Sequence, residues 1–148
     1  MNLSKLLEKL DHECVQGSAD REIAEVVNDS RRVCPGCLFI CIEGMKADGH
    51  GKAAEAVQKG AAALITSKPV EGVEDHDVTV IRVENTRYAM AFIAAAWYGY
   101  PAEKLKVIGI TGTKGKTTTT YLVKSILEHA GFKVGLVGTI EAIIGEEH

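Results

Sequence analysis

The stretch GITGTKGKTTTT, residues 109–120, decides how the second part of this chain is expected to fold. It overlaps the apolar run KVIGIT, residues 106–111, and leads into KTTTTYLVKSILEHAG, residues 116–131, whose apolar residues recur at helical spacing. A glycine-rich turn between a buried strand and a helix directs backbone N–H groups and the positive end of the helix dipole at an anion. The stretch therefore predicts a phosphate-binding loop.

The glycine spacing differs from that of the most common phosphate-binding loop. The pattern G-x-x-x-x-G-K-[ST] requires glycine at position 110, where this chain has Ile110. In the shorter version, Gly112 and Gly115 permit a tight turn and a close approach of the backbone to phosphate oxygens. Lys116 would reach the β- and γ-phosphates, and the Thr117 hydroxyl would coordinate Mg²⁺. The alternative is a turn that binds nothing, and the ordered combination of glycines, cation and hydroxyl argues against it.

The segments around this loop predict a parallel β-α-β unit. KVIGIT would form the first strand, residues 116–131 the crossover helix, and KVGLVGTI, residues 133–140, the second strand. Parallel strands need helices on both faces, and one such unit cannot supply them. We therefore expect this unit to join the sheet of the preceding domain or to open a larger domain.

The first part of the chain has the pattern of an α/β domain. Leucines at positions 3, 6, 7 and 10 predict a short amphipathic helix that is capped by Asn2 or Ser4. The expected strands and helices follow in the chain as IAEVVND (23–29), LFICIEG (38–44), the helix KAAEAVQKG (52–60), AAALITS (61–67), VTVIRVE (78–84) and the helix TRYAMAFIAAAWYG (86–99). The segment GYPAEKLK carries a helix stop, a proline and a rise in charge, which places a domain boundary between residues 103 and 104.

Composition excludes several classes of partner. The 148 residues carry a net charge of −3, so the chain lacks the basic field that binds nucleic acid or anionic membranes. No apolar run has the length of a signal peptide or a membrane span. We expect a cytoplasmic protein without a nucleic-acid or membrane partner.

Two of the four cysteines form the motif CPGC, residues 34–37. The motif is compatible with a redox pair or with half of a zinc site, which Cys41 together with His12 or Cys14 would complete. It is also compatible with a Pro-Gly turn whose thiols act as small apolar side chains in a reduced protein. A structural zinc site normally shows a second closely spaced ligand pair, and its absence from the sequence favours the turn.

Two stretches resemble a known family. TGTKGKTTTT, residues 111–120, closely resembles the ATP loop of the Mur ligase and folylpolyglutamate synthetase superfamily, T-G-T-N-G-K-T-T, with Lys114 in place of asparagine. Residues 28–66 are similar to the N-terminal UDP-binding domain of the Mur ligases that add the third amino acid or the terminal dipeptide, through D-S-R, P-G-x-L-F, D-G-H and G-A. Folylpolyglutamate synthetases lack this domain. The four-threonine run and LVGTI resemble the tripeptide-forming members.

The resemblance implies a fold and a set of binding residues. It implies a mixed-sheet α/β UDP-binding domain over residues 1–103, and then the first β-α-β unit of a P-loop ATPase domain, truncated, over residues 104–148. Asn28 and Ser30 match positions that hold the uracil-ribose end of the nucleotide. Met45, Lys46 and Ala47, just before Asp48-Gly49-His50, match the loop that closes on this nucleotide. The residues that match the ATP loop are Gly112, Thr113, Lys114, Gly115, Lys116, Thr117 and Thr118, with Lys116 as the catalytic cation and Thr117 as the Mg²⁺ ligand.

The resemblance also implies a reaction. The complete enzyme would transfer the γ-phosphoryl group of ATP to the D-glutamate side chain of UDP-N-acetylmuramoyl-L-alanyl-D-glutamate, and the amine of a diamino acid would then displace phosphate. The further metal ligands and the domain that selects the amino acid would lie beyond His148, so we expect these residues alone to be inactive. The alternatives are a stand-alone UDP-sugar-binding module, the dipeptide-adding Mur ligase and a small P-loop kinase or NTPase.

Overall fold

The computed structural model describes residues 1–44 and 48–144. The chain divides into two compact units, Met1–Leu105 and Lys106–His148. The first unit contains a five-stranded sheet with helices on both faces, and the second contains one helix and a two-stranded sheet. No helix in these described ranges is both long and apolar enough to cross a membrane.

The five-stranded sheet of the first unit is mixed, as the family resemblance implies. Its strands are β1 (Glu13–Gln16), β2 (Val26–Val27), β3 (Leu38–Ile40), β4 (Ala63–Thr66) and β5 (Thr79–Arg82). Their order is β1-β5-β4-β3-β2. The four strands β2 to β5 run parallel, whereas β1 pairs antiparallel with β5 at the edge. The carboxyl ends of the four parallel strands therefore meet at one edge of the sheet.

The sheet separates two hydrophobic clusters, which explains the continuous apolar runs of its central strands. Helices α1 (Leu3–Leu6) and α3 (Thr86–Trp97) contribute to one cluster, together with Leu38 and Ile40 of β3. Helix α2 (Ala53–Gln58) contributes to the other, together with Phe39 of β3. Successive strand residues point to opposite faces, so a strand covered on both sides must be apolar at every position.

Local signals set the ends of the helices. The Asn2 side chain caps α1 by accepting from the Ser4 N–H, which confirms one of the two caps expected there. The Asn85 side chain accepts from the N–H groups of Arg87 and Tyr88 at the start of α3. Gly99 follows that helix with a φ of 72°, a left-handed conformation that glycine adopts without strain.

The sequence did not predict β1 or the two 3₁₀ turns, Gly49–Lys52 and Pro101–Lys104. β1 reads Glu-Cys-Val-Gln, lies at the edge of the sheet and has mostly exposed side chains, so no alternation of apolar residues marks it. The Gly49–Lys52 turn leads directly into α2 and shortens the helix expected from residue 52. It is capped by Asp48, whose side chain accepts from the His50 N–H.

Over residues 106–144, the second unit has one long helix and a hairpin. Helix α4 (Lys116–His129) begins where the sequence predicts a helix. β6 (Gly135–Val137) lies within the predicted second strand, and β7 (Ala142–Ile144) was not predicted. β6 and β7 pair antiparallel, with Leu136 opposite Ile143, and these two side chains are buried.

The structure does not confirm the predicted strand at residues 106–111 or its parallel pairing with the following strand. Residues 106–112 carry no regular secondary structure, and Val107 and Ile108 are 73% and 62% exposed. A strand exists only through hydrogen bonds to a neighbouring strand. Within the described part of this unit, β6 takes β7 as its partner, and the apolar run at residues 106–111 has none.

Candidate functional site

The carboxyl edge of the first unit's sheet gathers the polar residues that follow the parallel strands. Asn28 comes directly after β2, Ser67 after β4, and Asn85 three residues after β5. In open α/β sheets, ligands bind in the crevice outside the carboxyl ends of the strands. This edge is therefore the candidate ligand site of the first unit.

Asn28 and Ser30 both lie at this edge, on the connection between β2 and β3. Asn28 is exposed, and its Nδ2 atom donates to the Met90 Sδ atom of α3 at 3.5 Å. Ser30 is half-buried and belongs to neither hydrophobic cluster. Its backbone carbonyl accepts from the Lys59 Nζ atom at 2.8 Å, which ties this connection to the end of α2. Both side chains can therefore meet a ligand that approaches the edge.

Asp29 folds the connection into a compact turn. Its Oδ1 atom accepts from the Arg31 N–H at 3.0 Å, and the Arg31 guanidinium donates to both carboxylate oxygens. Hydrogen bonds from Arg31 lower the pKa of Asp29 to about 2. Arg31 itself is 87% exposed. A capped turn with a solvated arginine is thus present beside Ser30.

The predicted binding residues Met45, Lys46 and Ala47 lie outside the described residues. On either side of them, Glu43 and Asp48 form an antiparallel bridge. The Lys68 Nζ atom lies 2.6 Å from Asp48 Oδ2 and 3.5 Å from Glu43 Oε2. The Glu43 carbonyl accepts from the Arg87 guanidinium at 2.9 Å. Glu43 and Asp48 are thus held to the end of β4 and the start of α3.

His50 is a buried structural residue that the sequence analysis did not single out. Its Nε2 atom accepts from the Ser67 N–H at 3.0 Å, so the ring proton lies on Nδ1, which donates to Asp48 Oδ1 at 2.6 Å. Hydrogen bonds from Lys68 and then from His50 hold the pKa of Asp48 well below its usual range. The Asp-Gly-His spacing is the sequence signal that could have identified this contact. A capping aspartate accepts from the residue two positions later, which here is His50.

A cavity of about 890 Å³ lies at the carboxyl ends of β4 and β5. Ser67, Arg82, Asn85 and Tyr88 contribute to its lining, whereas Asn28 and Ser30 do not. The Arg82 Nε atom is buried and has no hydrogen-bond partner within the described part of the chain. The cavity and the predicted uridine residues therefore occupy different parts of the same edge.

The predicted phosphate loop of the second unit has the turn that its glycines predict. Gly115 has a φ of 75° and stands directly before α4, and Gly112 has a φ of 150°. Both angles lie in the region that favours glycine. The Lys116 Nζ atom donates to the Gly112 carbonyl at 2.6 Å, so the ammonium lies across the loop.

The first turn of α4 offers polar groups to a ligand. Its first N–H groups have no carbonyl partner within the helix and point out of its N-terminal end. The Thr119 and Thr120 hydroxyls donate to the carbonyls of Gly115 and Thr117. Within residues 1–44 and 48–144, the hydroxyls of Thr117 and Thr118 have no hydrogen-bond partner. The predicted loop thus combines exposed amides, the cations Lys114 and Lys116, and free hydroxyls, which fits a Mg²⁺-bound phosphate chain.

The cysteines do not assemble a metal site. All four are free thiols, and no group of three or more His, Cys, Asp or Glu residues capable of holding a metal occurs among the described residues. Cys41 is fully buried, and burial raises its pKa to about 12. Cys34 and Cys37 stand at the two ends of a Pro-Gly turn in which Gly36 has a φ of 79°.

Two family models match this chain. Residues 22–98 match the model for the Mur ligase family, catalytic domain, and residues 110–148 match the model for the Mur ligase middle domain. The chain is 44% identical over 147 residues to a Clostridium perfringens protein named UDP-N-acetylmuramoyl-L-alanyl-D-glutamate--2,6-diaminopimelate ligase. The match covers 99% of this chain and 30% of that relative's length.

Two solved structures of Mur ligases are also similar to this chain. A MurF crystal structure from Acinetobacter baumannii is similar with a TM-score of 0.63 and 29% identity, over 86% of this chain and 27% of that chain. A MurF ligase from Thermotoga maritima in complex with ADP is similar with a TM-score of 0.52 and 29% identity, over 74% of this chain and 23% of that chain.

Proposed function

Because the chain belongs to the Mur ligase family, we propose that it is the N-terminal part of an ATP-dependent amide ligase of peptidoglycan synthesis. The longer protein would add a diamino acid to UDP-N-acetylmuramoyl-L-alanyl-D-glutamate in the cytoplasm. Residues 1–103 would form the UDP-sugar-binding domain and residues 104–148 the start of the ATP-binding domain. The observation that carries the proposal is the position of Ser30, half-buried at the carboxyl edge of the parallel strands.

Ser30 and Asn28 would hold the uracil-ribose end of the UDP-sugar. The Ser30 hydroxyl can both donate and accept, and the Asn28 amide offers the same pair of functions, which a uracil edge requires. The hydrogen bond from Lys59 to the Ser30 carbonyl supports this role, because it fixes the backbone beside the hydroxyl. Residues 45–47 remain the proposed contacts on the other side of the nucleotide.

Residues 112–118 would hold the phosphates of ATP, and Thr117 would coordinate Mg²⁺. When bound, ATP supplies the phosphoryl group that activates a carboxylate, and Mg²⁺ neutralises charge on its phosphates. Lys116 would bind phosphate oxygens and stabilise the charge of the transferring group. Its ammonium already lies across the loop, where it donates to the Gly112 carbonyl. When ATP binds, a phosphate oxygen would replace that carbonyl as its hydrogen-bond partner. The amides at the start of α4 would orient the same phosphates.

The relatives favour one substrate pair over the alternatives. The chain is 44% identical to a relative named for 2,6-diaminopimelate and 29% identical to the MurF structure. We therefore propose diaminopimelate rather than lysine as the added amino acid, and the tripeptide-forming rather than the dipeptide-adding ligase. The apolar run at residues 106–111 would become a strand in the larger sheet of the longer protein. Residues 1–148 alone would bind the UDP-sugar but would not catalyse the ligation.

Calorimetry on residues 1–148 tests the proposal against a stand-alone P-loop kinase or NTPase. UDP-N-acetylmuramoyl-L-alanyl-D-glutamate should bind, and Ser30→Ala should weaken it roughly tenfold, since a lost hydrogen bond in a ligand site costs about 1–2 kcal/mol. Ser125→Ala, an exposed serine of α4, is the matched control and should leave the affinity unchanged. Tight binding of Mg-ATP with no heat from the UDP-sugar would overturn the proposal.

A further inference from the structure

Cys34 and Cys37 are the first and last residues of a four-residue turn between β2 and β3. Pro35 is its second residue, Gly36 is its third with a φ of 79°, and the Cys37 N–H donates to the Cys34 carbonyl at 3.2 Å. Proline at the second position and a left-handed glycine at the third define a type II β-turn. Such a turn keeps its outer Cα atoms less than about 7 Å apart, and a disulfide requires about 4.4–6.8 Å.

Backbone contacts hold this turn in place. The Gly36 N–H donates to the Gly60 carbonyl at 2.8 Å, and the Gly36 carbonyl accepts from the Ala24 N–H at 2.9 Å. A Cβ atom at Gly60 would lie 3.2 Å from the Pro35 Cα atom, so the chain segments are in close contact. The spacing of the two cysteines is therefore a property of the packed domain.

The two thiols lie on the same side of the turn. Cys37 is fully buried in the cluster beneath α2, and Cys34 is partly exposed and packs against that same cluster. Burial is the main cause of a raised pKa for the Cys37 thiol, and the nearby Cys34 thiol adds to it. Cys34 is thus partly accessible to a reagent, with its thiol donating to the Glu25 carboxylate at 3.7 Å. Cys37 is within reach of Cys34.

The other two cysteines have no such partner. Cys41 is four residues from Cys37 along an extended chain, a separation of about 13 Å, which no disulfide spans. Cys14 is exposed on β1, at the opposite edge of the sheet from β2. The arrangement selects the pair Cys34 and Cys37.

We propose that Cys34 and Cys37 form a reversible intramolecular disulfide with low-molecular-weight disulfides such as oxidised glutathione. The Cys34 thiolate attacks one glutathione sulfur, forms a mixed disulfide and releases one glutathione thiolate. The Cys37 thiolate then attacks the Cys34 sulfur, closes the protein disulfide and releases the second glutathione. The protein loses two electrons and two protons, and one glutathione disulfide is reduced to two thiols. This modification is independent of the proposed ligase function.

Mass spectrometry of residues 1–148 with Cys14→Ser, which removes the exposed background thiol, tests the pair. After exposure to oxidised glutathione and alkylation of the remaining thiols, the main product should lack two hydrogens and yield a linked Cys34–Cys37 peptide. Adding Cys37→Ala should stop the reaction at the glutathione adduct on Cys34. Adding Cys34→Ser should prevent both this adduct and the disulfide. Circular dichroism confirms that each variant is folded.

Accumulation of the same glutathione adduct in the Cys14→Ser parent and in its Cys37→Ala derivative would overturn the proposal. So would complete alkylation of Cys34 and Cys37 after exposure to the oxidant. Dithiothreitol should restore both thiols in the oxidised parent, and failure to do so would contradict reversibility.

Discussion

At position 49 the backbone passes so close to the end of β3 that a side chain has no room. A Cβ atom there would lie 2.7 Å from the Ile42 nitrogen and 2.9 Å from its carbonyl oxygen. The Gly49 N–H also donates to that carbonyl at 2.9 Å, so the two segments are held together. Glycine at this position is required by packing rather than by an unusual φ.

Gly49→Ala should therefore lower the free energy of unfolding by about 1–3 kcal/mol, the usual cost of overpacking a close contact. Gly51→Ala is the matched control in the same 3₁₀ turn, because no atom lies within 4 Å of its added Cβ. Urea titration of the two variants measures the difference. Equal stability of Gly49→Ala and Gly51→Ala would contradict the packing described here.

Asp48 should make the fold sensitive to acid. Hydrogen bonds from Lys68 and His50 lower the pKa of its carboxyl from the ordinary value of 3.8. A lowered pKa contributes stability above the unfolded-state pKa, and this contribution is lost as pH falls below about 4. The difference in unfolding free energy between the parent and Asp48→Asn should therefore be largest near neutral pH and shrink below about pH 4.

Lys68→Met removes the hydrogen bond that contributes most to the lowered pKa of Asp48. This variant should therefore lose less unfolding free energy than the parent as pH falls below about 4. The measurement is urea unfolding of the parent and both variants over a pH series. A difference between parent and Asp48→Asn that stays constant down to acid would show that the carboxyl does not contribute in this way.

Helix α3 shows how a short signal fixes an element. Asn85 caps its start, and buried Ala89, Ile93 and Ala96 follow at the spacing of one helical face. Asn85→Ala should lower the free energy of unfolding by about 1 kcal/mol, and Asn85→Asp, which retains the accepting oxygen, should stay within about 0.5 kcal/mol of the parent. Thermal unfolding compares the two, and an equal loss in both variants would count against the capping role.

The sequence predicted elements well where their signals are local. The cap, the apolar face and the terminal glycine of α3 are all adjacent in the chain, and so are the glycines and Lys116 of the phosphate loop. β1 was missed because its residues are mostly exposed at a sheet edge. The strand at residues 106–111 was predicted from apolar content, but strand formation depends on a neighbour that the run itself does not specify.

The site residues also divide into those with a local sequence signal and those without one. Ser30 and Asn28 were predicted because they match positions in short family motifs. The structure places them at the carboxyl edge of the parallel strands, where ligands bind in such sheets. The contacts of Lys59, Lys68 and Arg87 were not predicted, because each spans more than 19 residues of chain and carries no spacing signal. His50 was missed because a histidine beside a capping aspartate looks like an ordinary turn.

At the scale of the whole molecule, the two units differ in how fully they are packed. The first unit has two hydrophobic clusters around its sheet. In the second, α4 has no buried residue, and Leu122 and Ile126 are 60% and 67% exposed. An apolar helix face of this kind agrees with the proposal that residues 104–148 open a larger domain.

Joining residues 1–148 to the part of the Clostridium perfringens relative that lies beyond the region matched by this chain tests that proposal. The amides of residues 107–110 should become protected from hydrogen exchange by about a hundredfold, because strand hydrogen bonds in a packed sheet open rarely. The amides of β4 provide the control and should exchange equally in both chains. Equally fast exchange of residues 107–110 in the joined protein would rule out a strand there.

The central claim, that the first unit holds uridine and the second holds the phosphates of ATP, is tested most directly by NMR on isotope-labelled residues 1–148. UDP should shift the amide signals of residues 28–30 and leave those of residues 112–118 in place, and Mg-ADP should do the reverse. Lys116→Met should abolish the Mg-ADP response alone. Shifts by UDP at residues 112–118 with none at residues 28–30 would contradict the claim.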